Sequence, residues 1–217
     1  MPATITIGGT GGILEGNFDT VNINLNQDAT LDFNGTSDYI DCGDINAAEG
    51  DTPLTVSAWI YWTGGNDETI ISKWGAADED RVWIMMIGSS KLLVALNENN
   101  IINTGGATLT TNAWNHVAFT YNKDGGGTDE LKSYLNGTVD DTGNFSTTLY
   151  TTAIKVGIGA LDVGGSPGLF FEGRIADVRI YDAVLTQAEI QVLASKINVD
   201  TALGAGPGDL LMHIPIA

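Results

Sequence analysis

The amino-acid sequence predicts an all-β domain finished by one short helix near its C-terminus. Three observations carry that expectation. Apolar residues recur at every second position in short runs, as in Leu54, Val56, Ala58, Ile60 and Trp62, the period of a strand with one face inward. Turn residues break these runs at short spacing, with 28 glycines and 5 prolines among 217 residues, as suits many tight connections. Helix-start chemistry stands out at Thr186–Glu189. A chain of this length can close a single sandwich-sized domain with a sizeable core.

In chain order, TITI (4–7) and VNINL (21–25) alternate polar and apolar residues around Gly8, Gly9, Gly11 and Gly12. They read as short strands flanking a flexible turn. LDFNGTSDYIDCGD (31–44) reads as strand, turn and strand. LTVSAWIYW (54–62) carries Thr55, Ser57, Trp59 and Tyr61 on its second face. Two aromatics there imply a strand covered on both sides or bordering a groove. TIISKW (69–74), RVWIMMI (81–87) and KLLVAL (91–96) continue the series, with Gly88-Ser89-Ser90 as a hairpin link. WNHVAFTY (114–121) and LKSYLNGT (131–138) flank the acidic, glycine-rich KDGGGTDE. Asn136-Gly137 predicts a type I′ turn, since both residues tolerate positive φ. AIKVGIGA (153–160) sets Ile154, Val156 and Ile158 on one face. Thr186-Gln187-Ala188-Glu189 fits a capping box and predicts a helix of about two turns, with Ile190 and Leu193 inward. VDTALGAGPGD (199–209) reads as a linker and LLMHIPI (210–216) as a last edge strand. The expected organisation is an arm with short strands over 1–28, a domain over 29–195, and a linker with a tail strand over 196–217.

In this order, LDFNGTSDYIDCGD, LTVSAWIYW, TIISKWG, WNHVAFTYN, YLNGT, KVGIGA and FEGRIADVRIYDAVLTQAEI resemble the laminin-G-like jelly roll of the concanavalin A-like lectin/glucanase superfamily. The resemblance covers roughly residues 29–195. It implies a two-sheet antiparallel jelly-roll sandwich with loops at the rims and often a concave face. It also implies recognition of glycans or protein surfaces, often beside a calcium ion. For such a metal the matching stretches offer Asp38 in GTSDY and Asp177 in IADVRIY. The family's closing strand commonly carries two consecutive acids, and the first of these is Ala176 in this chain. The competing roles are a turn cap for Asp38 and an ion pair of Asp177 with Arg174 or Arg179.

Charge narrows the partners. The chain has 27 acidic and 9 basic residues, a formal net charge of −18. Such a field repels phosphate backbones and anionic lipid, so neither nucleic acid nor a membrane surface is expected. It suits calcium, a basic patch on a partner, or plain solubility. No run approaches the ~20 apolar residues of a membrane span, and MPATITIGGTGGIL lacks the features of a secretory signal. Cys42, the single cysteine, excludes an internal disulfide and reads as a small core filler.

Sugar recognition needs an aromatic face for the apolar side of the ring and amides or carboxylates for its hydroxyls. Trp74 and Trp83 border a polar loop holding Asp78 and Asp80, and ALNENN places Asn97 and Asn99 in a neighbouring loop. These six residues form the candidate ligand set. The resemblance assigns Trp59 and Trp114 to packing. Catalysis finds no support. Relatives that hydrolyse β-glucans carry E-x-D-x-x-E on one strand, and a retaining pair must stand about 5 Å apart. DETII and DEDRVW instead bunch their acids at loop starts. His116 reads as a hydrogen-bonded structural histidine, and two histidines with one cysteine make no conventional zinc site.

The functional expectation is a non-catalytic recognition or assembly protein, displayed extracellularly or on a virion surface. A free calcium-assisted lectin is the alternative, with a glycoside hydrolase or polysaccharide lyase behind it. VNINL and LLMHIPI, outside the domain, are expected to add to a neighbour's sheet edge and to give homo-oligomer or capsid-type contacts.

Overall fold

The computed structural model describes residues 4–7, 13–15, 31–98, 100–102, 106–195 and 210–214. VNINL, Asn99, Asn103 and the 199–209 linker lie outside them. The strands in the first half are β1 (Thr4–Ile7), β2 (Ile13–Glu15), β3 (Leu31–Asn34), β4 (Ile40–Asp41), β5 (Leu54–Trp62), β6 (Glu68–Trp74), β7 (Arg81–Gly88), β8 (Lys91–Leu96) and β9 (Asn100–Ile102). There follow β10 (Trp114–Tyr121), β11 (Leu131–Leu135), β12 (Thr138–Gly143), β13 (Val156–Ile158), β14 (Glu172–Tyr181), the helix α1 (Gln187–Ala194) and β15 (Leu210–Ile214).

These strands form two antiparallel sheets, the jelly-roll sandwich expected from the sequence. The first runs β2-β1-β4-β13-β6-β7-β8-β9. The second runs β12-β11-β10-β5-β14, and the far edge of β14 is shared. Its first half pairs with β3 (Ile175 opposite Leu31) and its second half with β15 (Val178 opposite Ile214). LLMHI therefore joins this chain's own sheet, which corrects the expectation that it reaches a neighbour's. TITI likewise lies within the first sheet, paired to β4 through Thr6 and Asp41.

Alternation accounts for the core. Leu54, Val56, Ala58, Ile60 and Trp62 all face the space between the sheets and are fully buried. Burying each large aliphatic side chain contributes about 1.5–3 kcal/mol. Trp83 from the first sheet meets Phe119 from the second at 5.8 Å between ring centroids. The second face of β5 is covered as well: Trp59 Nε1 donates to the Leu193 carbonyl of α1 at 3.2 Å, and Thr55 Oγ1 accepts the Leu185 amide at 2.9 Å. Helix α1 starts with the capping box. Thr186 Oγ1 accepts the Glu189 amide at 3.3 Å, and Glu189 accepts the Thr186 amide at 2.7 Å. Ile190 and Leu193 are buried.

Turn chemistry fixes two hairpins. Asn136 and Gly137 have φ of 51° and 78° between β11 and β12, as a type I′ turn requires. Between β7 and β8 the two turn residues are Ser89 and Ser90, at φ 53° and 62°. Gly88 pairs with Lys91 and so ends the strand instead of making the turn.

Candidate functional site

The loops at one end of the sandwich converge on the segment 147–155. Lys73 lies on the inward face of β6, fully buried, and pairs with Asp44 and with Glu49 Oε2 at 3.1 Å. The same Glu49 oxygen accepts the Thr152 amide at 3.2 Å. Thr152 Oγ1 donates to Asp80 Oδ1 at 2.6 Å. A chain of polar contacts thus runs from the core ammonium to the 75–80 loop. Gly75 seals the junction: its amide donates to the Asp80 carbonyl at 2.9 Å, and a Cβ there would stand 2.9 Å from Ile154 Cδ1.

Four of the six expected ligand residues meet at this rim in different roles. Trp74 is half-buried beside Ile84, Met86 and Ala95 on the outer face of the first sheet. Asp78 is exposed and lies 2.9 Å from Arg81 Nη1, which also pairs with Glu98. Asp80 is half-buried and held by Thr152. Asn97 is 6% exposed. Its Nδ2 donates to the Thr148 carbonyl at 2.6 Å and its Oδ1 accepts the Tyr150 amide at 2.9 Å. It therefore positions the 147–150 segment and has little left to offer a ligand.

One of the expected ligand residues needs correction. Trp83 is fully buried and spends its Nε1 on the Ala48 carbonyl at 2.8 Å, so it has no free ring face for a sugar. RVWIMMI is apolar on both faces, and alternation in it could not choose a side. The rim's exposed aromatic is instead Tyr150, at 40%, a residue with no strand pattern around it to draw attention. Asn99, the sixth residue, lies outside the described residues.

Asp38 and Asp177 do not form a joint calcium site. Asp38 Oδ2 accepts the Asn34 amide at 3.2 Å, and Asn34 pairs with Glu172. Asp177 stands five residues further along β14, roughly 15 Å at the strand's rise. It is 3% exposed, at φ 48° in a bulge, with Arg179 Nε 2.8 Å from its Oδ1. Calcium asks for six to eight oxygens. A buried carboxylate already facing a guanidinium does not fit, and no group of three metal-binding side chains converges among the described residues.

The titratable groups elsewhere are structural in setting. His116 is 1% exposed, edge-on to Trp59 at 5.3 Å, and burial lowers its pKa to about 4. Its Nδ1 has no hydrogen-bond partner. Burial pushes the Cys42 thiol well up, helped by the charge of Asp41, so it is not a nucleophile at neutral pH. At the opposite rim, burial raises the Glu68 pKa, opposed by the Glu172 amide. There Arg174 covers Tyr61 at 4.2 Å and reaches Trp114 at 5.8 Å, so those half-buried rings already hold a cation.

A family model described as the concanavalin A-like lectin/glucanases superfamily matches residues 34–191. None of the curated proteins matches in sequence. Among solved structures, the chain is similar to a proposed carbohydrate-binding protein from Bacteroides ovatus ATCC 8483, with a TM-score of 0.66 and 21% identity. That match covers 86% of this chain and 50% of the other, so the chain spans half of that relative's length. It is similar to a heptameric SAP-like pentraxin from Limulus polyphemus (TM-score 0.65, 20% identity, 87% and 88% covered). A third is the CBM40 of a Ruminococcus gnavus IT-sialidase, bound to α2,3-sialyllactose (TM-score 0.60, 16% identity, 76% and 95% covered).

Proposed function

The chain belongs to the concanavalin A-like lectin/glucanase superfamily, and from that premise we propose that it is a non-catalytic recognition module whose loop rim binds glycan. One observation carries the reading: the exposed Tyr150 shares a rim with Asp78, Asp80, Arg81 and Glu98, and Trp74, paired with Arg81, stands half-buried on the outer sheet face at the same end. Aromatic faces take the apolar side of a sugar ring, and the carboxylates and guanidinium take its hydroxyls. The Lys73–Glu49–Thr152–Asp80 contacts hold that surface in place before a ligand arrives, which lowers the ordering cost of binding. Three neighbours in fold are a proposed carbohydrate-binding protein, a sialyllactose-bound module and a pentraxin. Their ligands lend support by analogy of fold alone.

The finer proposal is display on an extracellular or virion surface as a structural component. The net charge of −18, which keeps a displayed surface soluble, supports it. Native mass spectrometry at a multiple of the monomer mass is the expected result for the assembled form.

A glycan array read with the intact chain tests the recognition module. Binding should appear, persist in EDTA, and fall at least tenfold in both Trp74→Ala and Tyr150→Ala. Binding that both variants retain would move the site off this rim. Release of reducing ends from a bound polysaccharide would replace the module with an enzyme.

A further inference from the structure

A second site stands apart from the rim, on the outer face of β10 and β11. A cavity of about 310 Å³ opens there, walled by Thr120, Lys132 and Tyr134 from the strands and by Val184 and Leu185 ahead of α1. Glu130 also lines it. This residue is 3% exposed, and neither carboxylate oxygen has a hydrogen-bond partner. Buried charges are ordinarily paired, and one left without a counter-charge is costly. Such an orphan at a cavity wall is a group that a bound donor can satisfy.

The remaining lining says what kind. Lys132 Nζ lies 3.8 Å from Asp129 Oδ2, so those two lining charges offset each other and Glu130 remains as one uncompensated negative charge. A single positive charge restores balance. A divalent metal overshoots it, and no group of three metal-binding side chains converges among the described residues. Anions are repelled. Val139 and Val184, 37% and 38% exposed, give the cavity an apolar wall suited to methylene groups. Part of the remaining wall is the 122–130 loop, where Gly126 and Gly127 sit at φ 99° and 86° with open space around them.

We propose that this cavity binds a primary alkylammonium group, its charge on Glu130 and its aliphatic stem against Val139, Val184 and Leu185. The group comes from a lysine side chain of a partner polypeptide or from a free aliphatic amine. An N–H donor set on a flexible alkyl stem meets both needs of the site, charge pairing and apolar contact.

The test is an amide-resolved NMR titration of the full chain with n-butylammonium, with Nα-acetyl-lysine N-methylamide, and with n-butanol as the uncharged stem. Saturable shifts at Thr128, Glu130, Lys132 and Val184 are expected with at least one cation and not with butanol. Response to butylammonium alone assigns a free amine, and response to the lysine derivative assigns a polypeptide. Glu130→Gln should weaken the affinity at least tenfold. Val184→Trp, at an exposed position, should fill the cavity and remove the shifts. Equal shifts with butanol, or unchanged titrations in both variants, overturn the assignment. The glycan rim is untouched by either variant, so the two sites fail independently.

Discussion

Glu49 and Glu130 are two nearly inaccessible carboxylates in one molecule, 6% and 3% exposed, with opposite surroundings. Glu49 has an ammonium at 3.1 Å and a backbone amide at 3.2 Å. Glu130 has neither kind of partner. Burial alone therefore does not tell what a carboxylate is for; the partner supplied to it does. Glu49 is a fastening between core and rim, whereas Glu130 has the setting of a receptor group.

The largest test of that contrast is Lys73→Met. It leaves Glu49 buried without its ammonium, at a cost of about 3–5 kcal/mol, read as a lower urea midpoint at pH 7. Glycan binding at the rim should weaken along with it. A variant as stable as the parent would place Glu49 in the same class as Glu130.

His116 offers a buried titratable group of the other sign. Its folded pKa of about 4 lies below the ordinary 6.5, so the fold favours the neutral ring. That contribution is complete above pH 6.5 and declines as pH falls toward 4, by roughly 3 kcal/mol in all. Urea midpoints of the parent should fall more steeply between pH 7 and 4 than those of His116→Gln. Parallel slopes would show that the ring is hydrated in solution. Removing the α1 cap with Thr186→Ala should cost about 1 kcal/mol and loosen the cavity wall at Val184 and Leu185, seen as faster amide exchange there. Smallest of all, Glu130→Gln should leave the urea midpoint unchanged or raise it, the reverse of Lys73→Met.

Much of this architecture could be read before any coordinates. WNHVAFTY is β10 from end to end, Asn136-Gly137 makes its turn, and the capping box starts α1 where expected, because each is set by neighbours in sequence. The inward face of β5 follows from strict alternation. What could not be read depends on distant partners. Lys73 in TIISKW looks like a solvent-facing residue, and its interior position rests on Asp44 and Glu49, which belong to an earlier loop. β12 (TVDDTG) has Val139 as its single large apolar residue and is a strand only because β11 pairs with it. The contact between LLMHI and β14 spans some thirty residues of chain with no local signal. At the candidate rim the sequence could gather Trp74, Asp78, Asp80 and Asn97 by proximity. It could not see that Trp83 turns inward, that Asn97 is already engaged, or that Tyr150 arrives from elsewhere.

The divided edge of β14 has a practical meaning for anyone trimming the gene. A fragment cut to residues 34–191, the part that matches the family, would lose β15 and nearly all of β3. It would also lose β1, which borders β4. Two rows of backbone amides and carbonyls would then lie bare, and such edges stick to their own kind. Clumping of that fragment would report missing selvage, and would say nothing against the cloth.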